Sequence, residues 1–480
     1  MKMRQIVAFL LLAITVGCAV NPATGRREFM LVSESQEIQM GRQSDPQVVA
    51  AYGLVDDPEL QEYVSDIGQR MARISERPDL PWSFRVVDEP VVHAFALPGG
   101  FIYVTRGILA HFNNEAELAG VLGHEIGHVT ARHSASQMSR QQLQQVALVG
   151  GMIASETFRE YGGVAAAGLQ LMNLSYSRDD ELQSDRLGVR YMSQTGYDVD
   201  ELIGVFEMLA TVSGSAEGGR APEWQLTHPY PENREDQIRQ EIVATGVSRD
   251  GTVATDRYLD MIDGLVWGPN PRNGYFEGSR FLHPDLAFEL TFPAGWQTIN
   301  QTQMVAGVSP QENAVVMLEI AQDATSADAA MDAFLGSEGI RGGARSSGTA
   351  SGGIALVRAP FEVATENGQL RGEVAFLEYG GNVYRILGYA SAAAWAQFTS
   401  AVRSTITSFG AVTDSRVLNV QPQRLDIVTI NQPMSLTSYV QQNPQPVDVE
   451  VLARLNRTQP GAVLSGGTRL KVVVGERAGG

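Results

Sequence analysis

At 480 residues the chain is longer than one hydrophobic core usually organises, so two to four domains are expected. Hydrophobic residues make up 44% and charged residues 19%, a balance of globular domains that excludes wholesale disorder. A formal charge of -18, with no clustered run of Lys and Arg, argues against nucleic acid as a partner.

In chain order, Lys2 and Arg4 precede the apolar run Ile6 to Val16, and Gly17 precedes the only cysteine, Cys18. This is signal-peptide architecture over residues 1–17. The run is shorter than the about 20 apolar residues that span a bilayer. Thr15-Val16-Gly17-Cys18 resembles a bacterial lipobox, with Thr15 in place of the usual leucine. That resemblance implies lipidation of Cys18 and, with Ala19 after it, sorting to the outer membrane; the alternative is an ordinary signal peptide with a chance cysteine. No intrachain disulfide is possible with one cysteine.

From Ser33 to about Ile262 the pattern is mainly helical, interrupted by a strand pair around Trp82 to Val104. Asn114 with Glu117 makes a capping box before a helix that is clearest from Leu118 onward. On that helix stands His124-Glu125-Ile126-Gly127-His128. Two histidines four apart lie on one helix face and direct ring nitrogens to one ion, with Glu125 beside it. Zinc takes three protein ligands in catalytic sites and leaves a fourth position open. The third ligand is supplied most economically by Glu181, on a helix opened by Asp179 and Asp180. Asp185, one turn later on the same face, is placed to hold the far ring nitrogen of a ligand histidine. Ser184 and Gly188 let the two helices approach closely. The apolar segments Val146 to Ser155 and Gly162 to Leu174 read as buried helices or as a flap over the site.

These residues resemble the gluzincin metallopeptidases of the CAAX-prenyl-protease, HtpX and BepA kind. The resemblance extends to Asn21-Pro22-Ala23-Thr24-Gly25, Ala94-Phe95-Ala96-Leu97-Pro98-Gly99-Gly100 and Thr227-His228-Pro229-Tyr230-Pro231, and covers roughly Cys18 to Ile262. It implies a zinc endopeptidase in which Glu125 activates water and His124, His128 and Glu181 hold Zn2+. An edge strand, about Phe101 to Thr105, would align an extended polypeptide substrate. It further implies that His228 either stabilises the oxyanion or ligates zinc in a latent state, with Arg234 a second candidate for charge stabilisation. His93 stands where the family usually has asparagine, and a structural role is the favoured reading. His133, nine residues beyond His124, reads as pointing away from the site, and His111 and His283 lack ligand-like neighbours.

The breaker cluster Gly268-Pro269-Asn270-Pro271 with Asn273-Gly274 marks a boundary. Strands are expected at Ala287 to Phe292, Ala314 to Ile320, Leu370 to Tyr379 and Val383 to Tyr389, with helices near Ala327 to Leu335 and Ala393 to Phe409. The segment resembles the PsbP-like fold through Phe292-Pro293-Ala294-Gly295-Trp296, and Gly336 to Gly353 reads as a mobile loop. The ending Leu464 to Val472, with Leu455-Asn456 upstream, resembles a LysM module whose usual Gly-Asp-Thr opening is replaced by Gln432-Pro433-Met434.

The fold class expected is therefore multidomain α+β: a signal peptide at 1–17, a mainly helical zincin peptidase domain at 18–265, a small α+β domain at 278–410 and a LysM-like module at 424–475. The function expected is zinc-dependent cleavage of extended or misfolded envelope proteins in the periplasm. Membrane attachment would run through the lipid, and peptidoglycan or envelope proteins would be met through the C-terminal module. The alternative is a lipid-anchored envelope chaperone with a latent or structural zinc site.

Overall fold

The computed structural model describes residues 18–148, 175–214, 224, 227–228, 234–322, 324–365 and 368–476. The expected signal peptide at 1–17, nearly all of the expected flap and Pro229-Tyr230-Pro231 lie outside them. The chain forms two compact units, one taking in the described residues as far as Gly268 together with Arg424–Val474, the other built on Pro269–Gln423.

In the first unit, β1 (Cys18–Val20) and β2 (Arg27–Phe29) form an antiparallel hairpin. Asn21 Oδ1 closes its turn by accepting from the amides of Ala23 at 2.9 Å and Thr24 at 3.3 Å. Helix α1 (Glu34–Tyr52) starts at a capping box of Ser33 and Gln36, and α2 (Pro58–Ala72) at an Asp57 cap with Pro58 in its first turn. The sequence pattern indicated a strand pair here, but three strands form: β3 (Ser83–Val87), β4 (Ala94–Leu97) and β5 (Phe101–Thr105). β5 is central, parallel to β3 and antiparallel to β4.

The next helices are α3 (Arg106–His111), α4 (Glu115–Thr130), α5 (His133–Leu148), α6 (Arg178–Gln194), α7 (Glu201–Gly214), α8 (Arg234–Thr245) and α9 (Thr255–Ile262). Every residue of α4 is buried, as expected of a helix that is apolar around most of its circumference. It runs through the main core in contact with α2, β4, β5, α6, α7 and α9.

The segment read as a separate C-terminal module closes the same core. Its strands Arg424–Thr429 and Arg469–Val474 pair antiparallel around helices Leu436–Gln442 and Val449–Leu455. Leu425, Leu436, Leu452, Leu455, Leu470 and Val473 belong to one apolar cluster with Leu118, Leu122 and Ile126 of α4. The Leu425 amide donates to Leu265 O at 2.8 Å, and Gly264 N donates to Leu425 O at 3.0 Å. Buried Lys471 donates to the carbonyls of Ala110 at 2.9 Å and Phe112 at 2.8 Å, beyond the last turn of α3, and Arg457 pairs with Glu117 in the first turn of α4. Some fifty residues bury too little surface to organise a robust core alone. Fusion with the larger core supplies what they lack.

In the second unit, one sheet carries the strands in the order 340–342, 355–365, 368–379, 382–391, 314–320, 304–308 and 297–301. Helices Ala327–Gly336 and Trp395–Ser408 stand at the expected positions. The Gly/Ser-rich stretch differs from the expected loop: Ile340–Gly342 and Ser346–Thr349 both pair antiparallel with Ala355–Thr365. Backbone pairing asks little of side chains, so a Gly/Ser composition does not forbid an edge strand. No helix among the described residues is long and apolar enough to cross a membrane.

Candidate metal centre

Two helices build the site because small residues let them touch. A Cβ on Gly127 would lie 3.0 Å from Ser184 Cα, and one on Gly123 would lie 3.2 Å from Gly188 Cα. Asn114 caps α4, its Oδ1 accepting from Glu117 N at 2.9 Å, while Ser177 and Asp180 form the capping box of α6. The backbones are thus pinned together across the turns that carry His124, Glu125 and His128 on α4 and Glu181 and Asp185 on α6.

Ligand atoms of His124, His128, Glu181 and His228 lie within 4.8 Å of one another, all buried. His124 Nε2 is 2.9 Å from His128 Nε2 and 3.5 Å from His228 Nδ1. Glu181 Oε1 is 3.3 Å from His128 Nε2 and 3.0 Å from His228 Nδ1, and its Oε2 is 3.6 Å from His124 Nε2. Ligands held at roughly 2.0–2.1 Å around tetrahedral zinc are separated by about 3.3 Å. Spacings of that order mean that His124, His128, Glu181 and His228 would be able to hold zinc. Glu125 is fully buried beside them, Oε1 3.6 Å from His228 Nε2, and neither of its oxygens has a hydrogen-bond partner among the described residues.

Burial lifts the Glu125 carboxyl above the usual carboxylate range, against the pull of His228 and His124. Burial also pushes Glu181 up, but His228, Arg234 and hydrogen bonds from two imidazoles outweigh it and hold the carboxyl well below its ordinary value. Burial depresses His128 far below the ordinary imidazole range, leaving its nitrogen available as a ligand. On His228 the carboxylates of Glu181 and Glu125 overcome burial and raise the ring's affinity for a proton. A field that draws a proton also draws a divalent cation.

Around the donors stands a ring of supports. His124 Nδ1 faces Asp185 Oδ1 at 2.8 Å, and Asp185 takes two charge-assisted bonds from Arg234, both 2.7 Å. Arg234 NH2 reaches Glu181 Oε2 at 3.2 Å and its guanidinium lies over the Phe206 ring. Tyr176 stacks on His128 with centroids 3.9 Å apart, and Trp224 stacks on His228 at 4.2 Å.

Residues 58–242 match the model of peptidase family M48, and the mitochondrial metalloendopeptidase OMA1 of Schizosaccharomyces pombe (strain 972 / ATCC 24843) is 30% identical over 233 residues, 48% of this chain and 68% of that protein. The chain belongs to peptidase family M48. Family membership and the buried donor set together identify the cofactor as zinc and the matched segment as a zinc metallopeptidase domain. The beta-barrel assembly-enhancing protease of Escherichia coli (strain K12) is 29% identical over 282 residues, 54% of this chain and 57% of that protein. The chain thus spans little more than half the length of that relative. Among solved structures, cyanobacterial PsbP from Synechocystis sp. PCC 6803 covers 28% of this chain and 94% of its own, at 12% identity and a TM-score of 0.23, too slight a likeness to establish the fold of that segment.

Within this M48 centre most expected residues converge, and two expectations change. The strand Phe101–Thr105 is not an edge: it is bonded on both sides, the edges are β3 and β4, and β4 is the one in contact with α4. Gly99 and Gly100, with φ of 84° and 101°, reverse the chain between β4 and β5, and β3 takes the far side of β5. Arg234, read as a second candidate for charge stabilisation, pairs with Asp185 and Glu181. His133, expected to face away, is 2% exposed with Nδ1 3.0 Å from His128 Nδ1. The helical-wheel argument assumed one continuous helix, but α4 ends at Thr130 and Arg132 takes a left-handed φ of 61° before α5 begins.

At the entry to β4 the His93 amide donates to Thr105 Oγ1 at 3.2 Å and its carbonyl accepts from the Thr105 amide and hydroxyl, while Nδ1 of its buried imidazole has no hydrogen-bond partner among the described residues. Burial, with His228 nearby, holds its imidazole down at about 3. Tyr176 and Trp224 escaped sequence reading altogether. An isolated aromatic carries no spacing signal, although Trp224 stands just four residues before His228.

Proposed function

We propose that the chain is a zinc-dependent endopeptidase of the bacterial cell envelope, hydrolysing peptide bonds of extended or misfolded polypeptides. The observation that carries this reading is the convergence of His124, His128 and Glu181 beside a buried, unpartnered Glu125. Bound zinc supplies Lewis acidity, polarising a carbonyl and making water acidic enough to ionise near neutral pH. Glu125 takes the proton of the attacking water and returns it to the leaving amine, a task suited to a carboxyl whose proton affinity burial has raised. Asp185 and Arg234 hold His124 and Glu181 in place, and β4 offers the main chain along which an extended substrate lies. A lipid on Cys18 would tether the enzyme to the outer membrane, with the C-terminal segment or the second unit meeting envelope partners.

Glu181→Gln tests the ligand set. Zinc affinity is expected to fall by more than the roughly 10–100-fold that loss of a supporting partner costs, with cleavage of an unfolded protein falling alongside it. Zinc titration against a chelator measures it, and an unchanged affinity would move the third ligand elsewhere.

The fourth donor supports a second reading, a latent zinc site, because His228 Nδ1, 3.5 Å from His124 Nε2 and 3.0 Å from Glu181 Oε1, would be able to serve as a fourth ligand. His228→Ala separates the two. Faster cleavage is expected if His228 blocks the open position, and a loss of about 10²–10³-fold in kcat is expected if it stabilises the oxyanion.

A further inference from the structure

A ligand imidazole that meets a metal through Nε2 must carry its proton on Nδ1, and that proton needs an acceptor. For His124 the acceptor is the Asp185 carboxylate. For His128 no carboxylate faces Nδ1; His133 Nδ1 does, at 3.0 Å. We propose that His133 is the positioning residue that holds the His128 proton on Nδ1 and so keeps His128 Nε2 free for zinc. The proposal rests on His128 being a zinc ligand.

The direction of that bond follows from the other end of the ring. His133 Nε2 faces Gln183 Oε1 at 3.2 Å and Asp180 Oδ1 at 3.7 Å. Both oxygens only accept, and that of Gln183 lies within hydrogen-bond distance, so the His133 proton sits on Nε2 and its Nδ1 presents a lone pair. Two facing ring nitrogens 3.0 Å apart share one proton, which must then come from His128 Nδ1. Ser184 Oγ, 3.3 Å from His133 Nδ1, steadies the same edge of the ring. Tyr176, stacked on His128 and 3.0 Å from Ser134 Oγ through its hydroxyl, fixes the plane in which the two rings meet.

The two ligand histidines are thus oriented by different means, His124 by an anion braced on Arg234 and His128 by a neutral relay. One helix serves both, since Asp180, Gln183, Ser184 and Asp185 all stand on α6. The left-handed residue Arg132 is what turns His133 back toward His128.

The test compares zinc affinity of the full chain in His133→Phe, His133→Asn and His128→Ala, each checked for folding by thermal melting. His133→Phe is expected to bind zinc about 10–100-fold more weakly. His133→Asn, whose Oδ1 accepts from nearly the place of Nδ1, is expected to recover most of that loss. Phe binding as tightly as wild type, or Asn and Phe weakened alike, overturns the proposal. If His128→Ala leaves zinc affinity unchanged, the ligand assignment itself fails, a result distinct from both. Should the Phe variant not fold, 15N labelling of the seven histidines in the zinc-loaded wild type reads the tautomers directly. Protons on His128 Nδ1 and His133 Nε2 support the relay, and a proton on His133 Nδ1 overturns it.

Discussion

Glu125→Gln is expected to lower kcat/KM for an unfolded protein substrate by about 10²–10⁴-fold while zinc stoichiometry stays at the wild-type value. The substitution keeps the shape of the side chain and removes its capacity to take a proton. Glu125 is fully buried, its oxygens bond to nothing among the described residues, and it contributes no atom to the His124, His128, Glu181 and His228 donor set. Structure and metal should therefore survive, and only proton transfer should be lost. Cleavage assays at matched zinc loading measure it, and rates equal to wild type would sink the assignment of Glu125.

Ending the chain at Gln423 is expected to lower the melting temperature by roughly 10 °C or more and to weaken zinc binding with it. The removed segment contributes Leu425, Leu436, Leu452, Leu455, Leu470 and Val473 to the core that also encloses α4. Each such side chain is worth about 1.5–3 kcal/mol of burial, and several of them together rival a typical folding stability of about 5–15 kcal/mol. Losing the segment also leaves Glu117, in the first turn of the helix that carries His124 and His128, without Arg457, and strips Lys471 from the carbonyls of Ala110 and Phe112. Burial draws Lys471 down to about 7, against the pull of Glu117, which marks how fully this junction is sealed from water. Calorimetry of the shortened chain checks the expectation. An unchanged melt would mean that the segment is an independent appendage after all.

Much of the site was legible because its chemistry is local and periodic. His124, Glu125 and His128 share a helix turn, and Glu181 and Asp185 share another, so the wheel geometry of each helix announces the pair. In the second unit the strands Phe288–Thr291, Ala314–Ile320, Gly368–Tyr379 and Asn382–Ser391 and both helices were readable from alternation and helical repeats, whereas Gln297–Gln301, Met304–Val308 and Ala355–Thr365 were not expected and the Gly/Ser-rich stretch was read as a loop.

What the sequence determined by itself was therefore the helix that carries His124, Glu125 and His128, the candidate pair Glu181 and Asp185 on a second helix, and the boundary near Gly268. Tertiary structure alone decided four things: that β5 is the central strand, that Arg234 pairs with Asp185 and Glu181, that His133 faces His128, and that Arg424–Val474 packs into the first unit's core. The physical reason is common to all four. Strand order, the partner of a buried guanidinium, the direction of a side chain after a left-handed residue, and the destination of an apolar face are set by contacts between residues far apart in the chain, and no local period records them.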